Sequence, residues 1–510
     1  MPQRPLTGLA LFTVLSLAIA ACAGPGATTG PTSDTAPSVP GATTPAETEP
    51  GETEPGETEP GPSPDASPDA SPDGSPDGSP GAVPSDPTED ADISGEIEVG
   101  AQYAEADEIA TTRYDMFIER YPDVTVNFTE SGFDPATFLT SVAAGEQPDV
   151  VRMDREIIST YIAEGALMPI DDCIANRQID MGQYYDSAVG QVTFDGQVYA
   201  IPDDYSTRIV LINDSVIEEV GLTPEDIDTS DWEALSQINE QLMVVEGDQI
   251  SRIGFDPKLP EFFPLWVLAN GGALVSEDGL TAQLDSPEVV EALDYAVSLI
   301  TAHGNPATFF DFRATGPGSA FFGEENQFTE DSLGAFPMDQ WYLNVLAADT
   351  PDESVSFQPF RARDGSEVTF ASGAAWAIPT GSENYDAACE FMRVVTRPEA
   401  WVAAVQVRAD ARAETGEPFT GTFTANAEAN DYIFSTLVTE ENAGAYYPHV
   451  QKVVELMPDA YALPAVPSGE AFRRIWQEAV QRVLNEGVPA AEALADAQTE
   501  AQDAIDSGAP

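Results

Sequence analysis

Lysine occurs twice in 510 residues, at Lys258 and Lys452, and histidine twice, at His303 and His449. With 20 basic against 88 acidic side chains and a net charge of -68, the chain repels a phosphate backbone instead of neutralising it. Nucleic acid is excluded as a partner. Neither lysine follows a glycine-rich run or precedes Ser or Thr, so the chain carries no phosphate-cradling P-loop. The two histidines form no HExxH motif, metal set or sequence-local catalytic triad, so neither cofactor nor metal is expected. Three cysteines, Cys22, Cys173 and Cys389, are too few for a disulfide scaffold and lack the spacing of a zinc site. Cys173 and Cys389 either pair in an oxidising compartment, if the fold brings them together, or stand as two buried thiols.

The longest early apolar run, Leu9 to Ala21, follows Arg4 and is too short to span a bilayer, but it has the length of a signal-peptide core. It closes on Ile19-Ala20-Ala21-Cys22, which looks like a bacterial lipobox. Residues 1–21 therefore read as a lipoprotein signal peptide, with Cys22 lipidated and anchoring the protein to the outer face of the cell membrane. Several acyl chains make such an anchor stable where one is marginal. Residues 22–93 hold almost only Pro, Gly, Ser, Thr, Ala, Asp and Glu, with a five-residue repeat around Gly51-Glu52-Thr53-Glu54-Pro55 and a Ser-Pro-Asp-Ala/Gly repeat from Ser63. Such a segment builds no core. Proline stiffening and like charges extend it to roughly 200 Å at most, so it is expected to act as a stalk.

The chain as a whole is 42% hydrophobic, and the remainder has a globular composition. It is itself strongly acidic, which points to an adaptation to salt or to a cationic ligand; screening favours the former. Strands and helices alternate: Ile97 to Ala101 predicts a strand, Asp107 to Tyr121 a helix, Val124 to Phe128 and Asp149 to Met153 further strands, which is an α/β pattern. In an open α/β sheet the loops after strand C-termini meet a crevice, so Tyr103 and Asp154 are placed to reach one. Ser230 and Glu233 read as a capping box before Trp232. Trp476 shares a helical stripe with Phe472, Val480 and Val483 and is assigned to the core. Asp226, Asp228 and Asp231 lack the glycine and terminal glutamate of a calcium loop and are given loop and cap duties.

An ordered series of landmarks, from Tyr121-Pro122-Asp123-Val124 and Gly145-Glu146-Gln147-Pro148-Asp149-Val150, through Glu164 to Asp171, Asp195 to Pro202 and Ala269-Asn270-Gly271-Gly272, to Phe336 to Trp341 and Ser372 to Pro379, resembles the bacterial extracellular solute-binding proteins, a family that includes the maltose-binding protein. The resemblance implies an α/β, two-lobed periplasmic-binding-protein-like fold with discontinuous lobes and an interlobe ligand cleft. The lobes are expected at 94–208 plus 355–402 and at 209–354 plus 403–510. It further implies no catalysis, capture of a small ligand by lobe closure, and delivery to the permease subunits of an ABC importer, by a monomer. Tyr103, Asp154, Tyr205, Trp266, Asn270, Asp339, Trp341, Trp376 and Arg408 fall where the family draws its contacts, with Asp410 beside Arg408 in a loop after a helix at 387–405. Their aromatic and polar mix suits a carbohydrate, and scarce Lys and Arg there argue against a polyanion. A polyamine or other non-sugar solute, or an exported glycan-processing enzyme with paired carboxylates, are the alternatives.

Cys22→Ala is expected to move the protein from the membrane fraction to the medium and abolish incorporation of labelled fatty acid; retention in the membrane would contradict the lipid anchor.

Overall fold

The computed structural model describes residues 91–508 except 105–106, 130–131, 248 and 351–353. The signal segment, Cys22 and all but the last residues of the stalk lie outside the described residues. The described residues form twelve strands: β1 Gly95–Gly100, β2 Val124–Phe128, β3 Val150–Asp154, β4 Thr193–Phe194, β5 Gln197–Val198, β6 Ala200–Pro202, β7 Arg208–Asn213, β8 Val244–Glu246, β9 Gln249–Phe255, β10 Leu333–Asp339, β11 Val355–Gln358 and β12 Ala374–Ala377. β4 and β5 form a small hairpin, and the other ten divide into two five-stranded sheets ordered β2-β1-β3-β12-β6 and β11-β7-β10-β9-β8.

The first sheet is parallel across β2, β1 and β3, and β12 runs antiparallel to β3 and β6. β12 is thus an interior strand, and all four of its residues, including Trp376, are buried. In the second sheet β7 is held between β11 and β10, and its six residues Arg-Ile-Val-Leu-Ile-Asn are all buried. That run of β-branched and leucine side chains reads as a strand covered on both faces. Helices Glu108–Arg120, Tyr385–Thr396 and Pro398–Thr415 pack together. The single helix expected at 387–405 is two helices: Arg397 is extended (φ -68, ψ 155) before Pro398, which occupies the first turn of the next. The residue before proline is driven out of the helical region, whereas proline itself suits a helix start.

The expected division of the chain differs from the sheets at two points. β11, on the first-lobe side of a boundary at 355, pairs with β7 of the second sheet. The helix Pro398–Thr415, cut by a boundary at 402, packs against Glu108–Arg120, which follows the first strand of the first sheet.

The chain passes between the sheets at 203–207 and again at 359–373. These two segments are bonded to each other: the Ser206 and Ser372 amides each donate to the other's carbonyl at 2.9 Å. Gly373 takes φ +145, and a Cβ there would stand 2.3 Å from the Asp204 carbonyl, so only glycine permits the approach. Arg155, buried, donates to the carbonyls of Asp204, Ser372 and Ala374, which ties both segments to the helix Arg155–Ala163.

The structure decides between the two cysteine readings. Cys173 and Cys389 form a disulfide across 216 residues of sequence, joining helix Asp171–Arg177 to Tyr385–Thr396. Trp232 begins a helix as expected, but its cap is Asp231, whose side chain accepts from the Ala234 amide; Ser230 is itself held by Asp228. Asp226 closes a capping box with Thr223, so the three spaced aspartates do serve loops and caps.

Because the disulfide closes a long loop, the Cys173→Ala/Cys389→Ala double variant is expected to lose about 2–5 kcal/mol in urea unfolding, and the unmodified protein to yield the Cys173–Cys389 peptide under non-reducing digestion. Equal stability of the two would contradict a structural role.

Candidate functional site

Between the two sheets lies a cavity of about 350 Å³ lined from both sides. β3 contributes Arg152 and Asp154, the following helix Glu156, the first crossing segment Asp204 and Ser206, and β7 Arg208. From the second sheet and its helices come Asp339, Trp341, Glu261, Arg473 and Trp476, and from the second crossing segment Phe370, Ser372 and Gly373. Side chains alternate across a strand, which places Val151 and Met153 of β3 in the core while Arg152 and Asp154 reach outward.

One buried carboxylate organises the first-lobe wall. Asp203 is completely buried and accepts from Arg113 at 2.6 Å and from Arg152 at 2.7 Å. Arg152 continues to Asp204 at 2.5 Å, and the other hydrogen bond to that Asp204 oxygen comes from the Ala374 amide at 3.0 Å. Burial alone would raise the Asp203 carboxyl; the two guanidiniums outweigh it and hold the group below its ordinary value of 3.8. Arg113 also lies over Trp401, 3.6 Å from the ring centroid, so its charge is fully engaged. On the facing wall Arg208 stands 3.3 Å from Asp339 and donates to Ser372 Oγ at 2.7 Å, linking β10 to the second crossing segment. Burial pushes the carboxyls of Asp339 and Glu156 up, against the pull of Arg208. Arg473 sits 3.6 Å from Asp154 and 3.8 Å from Glu156, too far to satisfy either by a direct hydrogen bond.

Chemically, the cavity offers carboxylates that accept hydroxyl protons, guanidiniums that donate, and the aromatic walls Trp341, Phe370 and Trp476. This is a strongly polar cavity with an aromatic margin, a combination suited to a small ligand rich in hydroxyl groups. Five carboxylates against three guanidiniums make it hostile to polyanions. Among the described residues no group of three or more His, Cys, Asp or Glu is disposed to hold a metal. His303 is committed to the fold: its Nε2 accepts from the Gly254 amide at 3.1 Å, its Nδ1 lies 2.9 Å from the Leu299 carbonyl, and burial pushes its pKa down.

Of the residues singled out in the sequence, Asp154, Asp339 and Trp341 meet in this cavity. Arg408 lines an adjoining cavity of about 430 Å³, which shares Arg152 and Asp204 with the first. It pairs there with Glu108 at 2.5 Å and, with Asp410, lies inside the helix Pro398–Thr415 and not in a loop. The others are elsewhere. Trp376 is wholly buried against Phe391 and Tyr114. Trp266 is wholly buried, with its Nε1 donating to the Pro257 carbonyl. Tyr205 neighbours cleft residues in sequence but turns into the core, packed at a tilt on Tyr185 and bonded to Ser187 and the Met457 carbonyl. Asn270 donates to the Glu288 carbonyl and Glu291, a local loop duty. Tyr103 is partly exposed, donating to Asp115 and packed on Phe128. Arg152, Glu156, Asp204, Arg208 and Arg473 were not anticipated, and Trp476, assigned to the core, is buried but also lines the cavity.

The sequence profile of the bacterial extracellular solute-binding protein family matches residues 112–466. The Arabinooligosaccharide-binding protein of Halalkalibacterium halodurans is 24% identical over 197 residues, which are 38% of this chain and 42% of that one. The Lactose-binding protein of Rhizobium radiobacter is 18% identical over 293 residues, 55% of this chain and 65% of its own. The chain thus spans about half the length of the curated relatives it matches. Among solved structures, an ABC substrate-binding protein from Listeria monocytogenes in complex with cycloalternan superimposes with a TM-score of 0.65 at 16% identity, covering 81% of this chain and 100% of that one. The cyclic alpha-maltosyl-1,6-maltose binding protein from Arthrobacter globiformis gives 0.57 at 19% identity, covering 81% and 100%. These likenesses establish the two-lobed α/β fold.

A carboxylate with a depressed folded-state pKa stabilises the fold above its unfolded pKa and loses that contribution as pH falls through the folded one. Asp203→Asn is expected to cost about 3–5 kcal/mol at neutral pH, because it strands the buried Arg113 guanidinium and removes one of the two carboxylates that hold the half-exposed Arg152. The parent's stability should fall below about pH 4, and the variant's less steeply over that range. A variant as stable as the parent in urea at pH 7 would contradict the role given to Asp203.

Proposed function

Because the chain belongs to the bacterial extracellular solute-binding protein family, we propose that it captures a carbohydrate, most simply an oligosaccharide, in the interlobe cleft and delivers it to the permease subunits of an ABC importer. The observation that carries this reading is the cavity that Trp341, Phe370 and Trp476 line together with Asp154, Asp204, Asp339, Arg152 and Arg208. Apolar C–H faces of a sugar ring pack on the aromatic walls while its hydroxyls bridge carboxylate and guanidinium. The oligosaccharides and lactose in the names of the relatives point the same way. Ligand held between two lobes that the chain links through crossing segments favours the closed arrangement, which a transporter reads as a changed surface.

In this reading the protein acts as a monomer without turnover, exported and tethered through lipidated Cys22, with the acidic stalk holding the body off the membrane. The lobes are set at 94–207 with 359–415 and at 208–358 with 416–510, so that β11 stays with β7 and the helix Pro398–Thr415 with the first lobe.

A thermal-shift panel of manno-, malto- and arabino-oligosaccharides and lactose against spermidine and putrescine tests the class of ligand. A carbohydrate at a hundredfold excess over its Kd should stabilise by about 2.7 kcal/mol; stabilisation by polyamines alone, or release of shortened glycans, would overturn the proposal. By calorimetry, Trp341→Ala should weaken the binding carbohydrate about 10- to 100-fold.

A further inference from the structure

Phe322 is the most exposed large apolar side chain among the described residues, at 63% of its full accessibility. A solitary exposed phenylalanine needs no explanation; this one is distinguished by how it is held. It lies in the segment 316–327 between the helix Pro306–Thr315 and β10. The base of that loop is closed by a bridge between Ser319 and Asn326. Gly318 takes φ +71 there, and a Cβ on it would stand 2.6 Å from the Asn326 carbonyl. Asn326, fully buried, accepts the amides of Phe328 and Thr329.

Both neighbours of Phe322 are fastened to the helix Tyr342–Asp349. The Tyr342 hydroxyl donates to the Phe321 carbonyl at 2.9 Å, and the Phe321 ring stacks on Tyr342 at 4.2 Å. On the other side the Gly323 amide donates to Asp349 at 2.7 Å. The loop therefore spends its internal contacts on fixing residues 321 and 323 while leaving the ring between them in water. That ring is nearly parallel to Trp341, at an interplanar angle of 19° and 6.4 Å between centroids. Trp341 lines the cleft, so the exposed ring continues the cleft's aromatic wall outward.

Resting on the carbohydrate reading of the cleft, we propose that Phe322 and Trp341 form a pre-organised aromatic ledge at the cleft mouth that takes a further sugar ring, making the ligand a glycan chain that extends beyond the cavity. The loop does not have to order on binding, so the apolar contact is gained without that entropic cost. The ledge reads chain length, because only a ligand that already fills the cavity reaches it.

The test is calorimetry of the full chain with a graded series of two to six sugar units, from whichever of the manno-, malto- and arabino-series stabilises the wild type, repeated with Phe322→Ala and Phe322→Trp. Wild-type affinity should rise about tenfold between the disaccharide and the longer members, the order of one aromatic contact. Phe322→Ala should remove that increment and leave disaccharide affinity within about twofold, and Phe322→Trp should restore it. Unchanged melting of Phe322→Ala without ligand would show that the fold is intact. Equal binding of short and long chains by the wild type, or an equal loss for both in Phe322→Ala, overturns the ledge while leaving carbohydrate capture standing. Failure of every series to bind overturns both.

Discussion

Asp203 lies at the start of the first segment that passes between the sheets, wholly buried, with Arg113 on one oxygen and Arg152 on the other. Its backbone is equally committed: its amide donates to the Ala374 carbonyl and its carbonyl accepts from the Ala425 amide. One residue therefore joins helix Glu108–Arg120, β3, β12 and the segment after the long helix Pro398–Thr415. A buried carboxylate is costly unless its partners are present, and here the partners are themselves parts of the site, since Arg152 emerges from this bond to face the cleft beside Asp204. The position of the cleft wall is thus a consequence of satisfying a charge beneath it.

The same logic runs through the opposite wall. Arg208 is the first residue of β7 and binds Asp339, the last of β10, which stand as register partners in the sheet. Gln340, completely buried, accepts from the Thr207 amide and donates to the Tyr205 carbonyl, so the residue before Trp341 is fixed to the crossing segment. Trp341 is held at the cleft by its neighbour. In a chain with only 20 lysines and arginines, Arg152, Arg155 and Arg208 stand where the two lobes meet, and each binds more than one partner.

The parts of this arrangement that the sequence made legible are those set by the ends of strands. Asp154 and Asp339 terminate β3 and β10, and Trp341 follows two residues later; strand C-termini open toward the crevice, although Tyr103, after β1, turns onto Phe128 instead. Trp376 and Trp266 were misplaced because nearness to the cleft in sequence does not fix which face of an element a side chain occupies. Trp376 lies within a strand that other strands flank on both sides, information that resides in residues far away. Arg152 left a signal that was not used: a scarce guanidinium inside the apolar run of β3, followed fifty residues later by paired aspartates. Pro398 was a plain marker of the break between two helices. The Cys173–Cys389 bond had none, since 216 residues separate partners that only the packed helices bring together.

The proposed binding mode sets a carbohydrate between the lobes, against Asp154, Asp339 and Trp341. Hydrogen exchange of the protein with and without a stabilising oligosaccharide tests it most directly, because protection reports where ligand and closure remove backbone from opening. Exchange is expected to slow in 152–156, 203–208, 339–342 and 473–477, segments drawn from both sides of the cleft and the first crossing. Protection confined to one lobe, or to the far surface around 187–195 and 462–465, would contradict it.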